Sequence, residues 1–144
     1  MSSLPLRHVV VAFDGSDSAL KACELAVTLT KNLGSQITLL YVIPSLSIFT
    51  APLADEYYRL RQREAENLTR KPLSLFKREG VNARREILQA HDSIVETIVR
   101  YAAGKNSDLI IMGARGVGGF RKMVIGSVSS GVLAHAHCPV LVVR

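Results

Sequence analysis

Leu109-Ile-Ile-Met112-Gly113-Ala-Arg-Gly116, followed after nine intervening residues by Gly126-Ser127-Val128-Ser129, decides how this chain reads. An apolar run of strand length meets a glycine turn. A loop follows, and Gly126 then opens an apolar, helix-like segment. A helix start presents unpaired backbone N–H groups and the positive end of the helix dipole. Glycine lets an anion approach that backbone closely. The pattern implies strand, turn, loop and helix N-terminus built around an anion, with a nucleotide phosphate chain as its natural occupant.

Working outward, the same alternation repeats. Arg7–Phe13 is a β-branched run that ends at Asp14-Gly15, a buried strand by its pattern. Ser16, Asp17 and Ser18 are N-cap candidates for a helix over residues 17–33. Leu20, Cys23, Val27, Thr30 and Leu33 supply its buried face, and Gly34 stops it. Gln36–Val42 predicts a second strand, and Pro44–Ala54 a loop. A charged helix is expected over Asp55–Glu79, kinked or interrupted at Pro72 and closed by Gly80. Ala83–Leu88 is a shorter, more polar strand, suited to a sheet edge. Asp92 or Ser93 starts the next helix, whose Ile94, Val95, Ile98, Val99 and Ala102 recur at helical spacing. Asp108–Met112, Gly126–Ala136 and Pro139–Val143 complete the order as strand, helix and strand. This βαβα alternation, with strands that are nearly continuous Val/Ile/Leu runs, predicts a parallel sheet covered on both faces.

Composition limits the function classes. A chain of 144 residues suits one domain over residues 1–144, and 48% hydrophobic content is too high for disorder. No apolar run approaches the ~20 residues of a membrane helix, and no signal-peptide pattern follows Arg7, so a cytoplasmic location is expected. Cys23 and Cys138 are too few for a disulfide framework and read as reduced packing residues. The net charge of +6 favours anionic partners. Its basic residues alternate with glutamates along residues 56–79, the pattern of a solvated, salt-bridged helix face, and no nucleic-acid module accompanies them.

At this point four stretches together resemble a known family. Gly113-x2-Gly116-x9-Gly126-Ser127 is similar to the nucleotide-binding signature of the universal stress proteins, in their ATP-binding class. Val9-Val-Val-Ala-Phe-Asp14-Gly15-Ser16 and His137-Cys138-Pro139-Val-Leu-Val-Val143 resemble that family too, as does the strand end Leu39-Leu40-Tyr41-Val42. The resemblance runs from about residue 7 to the C-terminus. It implies an adenine nucleotide alpha hydrolase-like α/β fold with a five-stranded parallel sheet in the order 3-2-1-4-5. That order makes the first and fourth strands neighbours at the switch point, beyond whose C-terminal ends such sheets bind ligands. It also implies ATP as ligand, with Mg²⁺ or Mn²⁺, and a homodimer formed through the last strand, residues 140–143.

Each candidate residue carries two readings. Asp14 matches the family's ribose-binding carboxylate, which can accept from both hydroxyls; on its own it is also a turn-forming carboxylate. Ala12, Phe13 and Met112 would line the pocket. Phe13 is bulkier than the family's usual residue, and its ring is expected in the core. Val42 matches the position whose backbone addresses adenine, and by itself reads as a core strand residue. Gly113 and Gly116 would cradle ribose and phosphates, or simply form a turn. Arg115, inside the glycine turn, is the best placed of Arg115, Arg121 and Lys122 to meet phosphate oxygens. Gly126, Ser127, Val128 and Ser129 would form the phosphate-binding helix start, with the two serine hydroxyls as donors; ordinary serine capping is the alternative.

Other signatures are missing. Gly-x4-Gly-Lys-[Ser/Thr] is absent, which excludes a Walker-type site, and no Gly-x-Gly-x-x-Gly follows the first strand. His135, His137 and Cys138 lack zinc-ligand spacing, and His91-Asp92-Ser93 is a helix start rather than a triad. No residue stands out as a catalytic base. The leading expectation is a nucleotide-dependent switch or adaptor. The alternatives are a nucleotide-free protein-interaction module and a slow phosphohydrolase or nucleotidyl transferase.

Overall fold

The computed structural model describes residues 5–46, 51–115 and 125–144. Its elements are β1 (His8–Ala12), α1 (Asp17–Thr30), β2 (Gln36–Ile43), α2 (Ala51–Arg78), β3 (Asn82–Gln89), α3 (Ile94–Gly104), β4 (Leu109–Gly113), α4 (Ser127–His135) and β5 (Val140–Val143). The strands form one parallel sheet in the order β3-β2-β1-β4-β5. The expected strand order, and the placing of the more polar third strand at an edge, are what the structure has.

Strand alternation divides the core in two. Val9, Val11 and Phe13 point to the face covered by α1 and α2, with Ile37, Leu39 and Ile111 beside them. Val10, Ala12, Leu40, Ile110 and Met112 point to the face covered by α3 and α4. Central strands are thus apolar on both sides, as a parallel sheet between two helical layers requires. Removing each such Val, Ile or Leu from water contributes roughly 1.5–3 kcal/mol. Phe13 is buried in the α1/α2 layer, where its bulk was expected. Cys23 lies in the same layer, and burial together with Glu24 pushes its thiol pKa up to about 12, so it is a packing residue. Among the described residues, no helix is long and apolar enough to cross a membrane.

Three expectations need correction. The first helix ends at Thr30 rather than 33, and Leu33 is 59% exposed instead of completing the buried face. Lys31 caps the helix, and the chain must turn at once to deliver the buried Ser35 to β2. The second helix begins at Ala51, inside the segment read as a loop. It also runs through Pro72 without interruption. A proline in mid-helix costs about 3 kcal/mol. Pro72 is buried in line with Ala65, Thr69 and Phe76, so packing against the sheet offsets that cost. Gly80, at φ +72°, then turns the chain into β3 in a conformation side-chain-bearing residues avoid. Of the two N-cap candidates for α3, Ser93 is the cap: its hydroxyl accepts from Glu96 N at 3.0 Å.

Candidate functional site

β1 and β4 run side by side, pairing Ala12 with Met112, and then diverge. β1 turns through Asp14-Gly15 into α1, while β4 continues through Gly113 to Arg115. A cavity of about 480 Å³ opens where they part. This is the switch point of the sheet, where ligands of open α/β folds bind, and the volume is that of a small-molecule site. The structure brings Ala12, Phe13, Asp14, Val42, Met112, Gly113, Arg115, Gly126, Ser127, Val128 and Ser129 together around it. Gly116, with Gly118, Gly119, Arg121 and Lys122, lies outside the described residues.

The first wall is the start of α1. Asp14 Oδ1 accepts from Ser16 N at 2.9 Å, so the carboxylate does fix the turn. Its second oxygen has no hydrogen bond among the described residues, and Asp14 lines the cavity. Gly15 sits at φ +88° against Leu68, a conformation that favours glycine. The Ser16 hydroxyl accepts from Ala19 N at 3.2 Å and caps α1. The Ser18 hydroxyl donates to Arg115 O at 2.8 Å, which ties α1 to the turn after β4. Gly113 explains why these elements can meet. A Cβ there would lie 2.7 Å from Ala19 N and inside the Ser18 side chain. Gly113 therefore admits the start of α1, a reason that spacing alone did not reveal.

The opposite wall is the start of α4. Gly126 is its N-cap and makes no side-chain cap bond. Gly126 N donates to Ala114 O at 2.7 Å, and the Ser129 hydroxyl donates to the same oxygen at 2.9 Å. Ser129 is buried, so its hydroxyl holds the helix against the turn after β4 rather than facing an anion. Ser127 is exposed at the cavity and takes no part in capping. The first turn of α4 thus offers its N–H groups and the Ser127 hydroxyl to the cavity, with Arg115 half-buried across from them.

The floor is apolar and comes from β2 and α3. Leu40, Val42, Ile94 and Ile98 line it. Ile94 and Ile98 were legible only as sheet-facing residues, because periodicity cannot say that the helix overhangs a cavity. Val42 contributes its peptide. Phe13 N donates to Leu40 O at 2.9 Å, so Leu40 faces β1, and Ala90 N donates to Ile43 O, so Ile43 faces β3. Alternate residues of a parallel strand face the same neighbour. The N–H and C=O of Val42 therefore point toward β1 beyond its end, with no backbone partner among the described residues. One donor and one acceptor stand side by side over the apolar floor. Among the described lining residues, Asp14 and Arg115 are the only ionisable side chains.

A family profile described as the universal stress protein family matches residues 5–144. The universal stress protein YxiE of Bacillus subtilis is 31% identical over 96% of this chain and 99% of its own length. The structure of the universal stress protein UspA from Lactobacillus plantarum superposes with a TM-score of 0.87 at 28% identity, over 96% of this chain and 98% of that one. A universal stress protein family structure from Arabidopsis thaliana, with AMP bound, shares the fold at a TM-score of 0.70 and 23% identity, over 95% and 90% of the two chains.

Proposed function

The chain belongs to the universal stress protein family, and from that premise we propose that it binds ATP in the cleft and acts as a nucleotide-dependent switch or adaptor in the cytoplasm. The observation that carries this reading is the uncapped start of α4, facing Asp14 and Arg115 across a cavity of about 480 Å³. The AMP bound in the Arabidopsis thaliana relative supports an adenine nucleotide as the ligand.

The parts divide by chemistry. The paired N–H and C=O of Val42 match the N1 acceptor and N6 donor of adenine, while Leu40, Ile94 and Ile98 pack the ring. Guanine presents the reverse pattern on that edge, with O6 facing a carbonyl, so it is disfavoured. The free oxygen of Asp14 accepts from the ribose, and the first turn of α4 with Ser127 holds the phosphates. A micromolar ligand requires about 8 kcal/mol, while each dipole contact contributes roughly 0.3–1 kcal/mol, so all three parts act together.

The lining fits a metal carried on the phosphates. Asp14 is the one carboxylate at the described part of the cavity, and no group of three or more His, Cys, Asp or Glu side chains is gathered among the described residues. Mg²⁺ or Mn²⁺ would neutralise phosphate charge, held by phosphate oxygens and water. The described lining supplies no histidine or second carboxylate to activate a water, so hydrolysis is slow and the output is a change of state. β5 ends the sheet with half-buried Val140–Val143, and a homodimer through that edge would cover it.

Calorimetric titration of nucleotide-stripped protein with ATP and Mg²⁺, beside GTP, tests the reading. Binding of ATP with clear preference over GTP is expected. Equal binding of both would remove the role given to Val42, and turnover at ~10 per second would make the protein an ordinary enzyme.

A further inference from the structure

The sheet carries a second charged cavity at its other end, where the strands begin. An open space of about 400 Å³ is lined by His8 of β1, Gln36 of β2, Arg84 of β3 and Lys105, the cap of α3. The register explains the convergence. Gln36 pairs with His8, and Arg84 pairs with Thr38, so these three strand side chains issue from the sheet face that α3 covers, and Lys105 stands at the end of that helix.

His8 is fixed. Its Nε2 lies 2.8 Å from the Thr38 hydroxyl and its Nδ1 3.0 Å from the Ser107 hydroxyl. Burial holds its pKa below the usual imidazole value, and the nearby charges of Arg84 and Lys105 act in the same direction against Asp108. Asp108 is already engaged: its Oδ2 accepts from Arg7 N and His8 N at 2.9 Å each. Among the described residues, neither Arg84 nor Lys105 is ion-paired, and Glu86, next along the same face of β3, does not reach Arg84. Lys105 instead stands 5.8 Å from the ring of Tyr101. One N–H of Gln36 reaches Ile37 O at 3.3 Å, which leaves the other for the cavity.

Two cations therefore face one polar space whose described lining holds no carboxylate. The structure assigns to this cavity a second anion site, for the phosphate group of a small phosphorylated compound. Arg84 offers a planar fork to two phosphate oxygens, Lys105 a point charge to the third, and Gln36 a neutral donor. Two cations are too few for a nucleic-acid backbone, where binding rests on many phosphate contacts. The site is at the opposite end of the sheet from the nucleotide cleft and does not depend on the reading given to that cleft.

The test is a titration of the full ¹⁵N-labelled chain with inorganic phosphate, against sodium chloride at matched ionic strength. The signals followed are Arg84 Nε–H and the Gln36 side-chain amide. Saturating shifts with a millimolar dissociation constant are expected, whatever occurs at Gly113 or Ser127. The Gln36 amide shift should vanish in the double variant Arg84→Gln with Lys105→Gln, and the Arg84 Nε–H shift in Gln36→Glu, which keeps both cations but supplies its own carboxylate. Shifts that never saturate, that chloride reproduces, or that survive the double variant would overturn the site. Tighter binding of a short single-stranded oligonucleotide than of a phosphate monoester, through the same signals, would overturn the small-ligand assignment.

Discussion

Helices α1 and α4 both begin at the cleft, and they begin in opposite ways. α1 is closed by its own residues: the Ser16 hydroxyl takes Ala19 N, and Asp14 takes Ser16 N. α3 is closed in the same way by Ser93. α4 has glycine at the cap and makes no side-chain cap bond, although two serines stand in its first turn. One of them, Ser129, turns inward to Ala114 O, and the other, Ser127, is left at the cavity. A side-chain cap satisfies a free N–H of the helix start from within the chain. An uncapped start that faces a cavity leaves its N–H groups open to a ligand. The contrast separates serines and glycines that serve the fold from those available to a nucleotide.

The largest effect should come from breaking the contact that brings the two helix starts together. Gly113→Val places side-chain atoms against Ala19 N and Ser18, where backbone cannot yield. A loss of about 3 kcal/mol in urea unfolding is expected, at the upper end of overpacking costs, with nucleotide binding lost as well. Next comes a pair of matched substitutions. Ser127→Ala should leave stability unchanged and weaken ATP binding about tenfold, the value of a hydrogen bond to a charged group. Ser16→Ala should do the reverse, with a cost of about 1 kcal/mol in stability and little change in affinity. If both variants lose affinity equally and neither loses stability, the distinction between closed and open helix starts is wrong.

The smallest effect lies at the far end of the sheet. His8, with burial, Arg84 and Lys105 against it and Asp108 for it, has its pKa lowered in the folded state. The unfolded chain therefore binds more protons in the acid range. Stability is fully present above about pH 6.5 and declines as pH falls through that value toward the folded pKa. Melting temperatures across this range should show that slope, and His8→Gln, which keeps hydrogen-bonding capacity, should flatten it. A slope unchanged in His8→Gln would place its origin elsewhere.

Much of the fold was legible because it is written in local patterns. Buried parallel strands must be apolar on both faces, so β1, β2 and β4 appear as continuous runs, and the polar β3 declares itself an edge. The spacing of Gly113 and of Gly126–Ser129 marked a strand, a turn and a helix start, while Asp14 and Val42 came to the cleft only through the family resemblance. What stayed hidden depends on contacts distant in sequence. Nothing near Gly113 shows that the start of α1, almost a hundred residues earlier, rests on it. The hydroxyl of Ser129 looks like that of Ser127 until Ala114 O is placed beside it. Pro72 reads as a break because the packing that tolerates it comes from the sheet. Arg84 and Lys105 carry no local signal; strand register brings Arg84 to the side of His8, and the end of α3 brings Lys105 there.

The central claim is that the open start of α4 holds the nucleotide, and Gly126→Asp tests it most directly. Gly126 has φ −62° and ψ 162°, a backbone an aspartate can adopt, although its Cβ, 3.3 Å from Ala114 O, requires that carbonyl to shift by a few tenths of an ångström. It would cap the helix itself and set a negative charge where phosphate belongs. Stability should change by only a few tenths of a kcal/mol. Calorimetric titration with ATP and Mg²⁺ should then show binding to the natural chain and none to the folded variant. Equal binding to both would show that the nucleotide is held elsewhere.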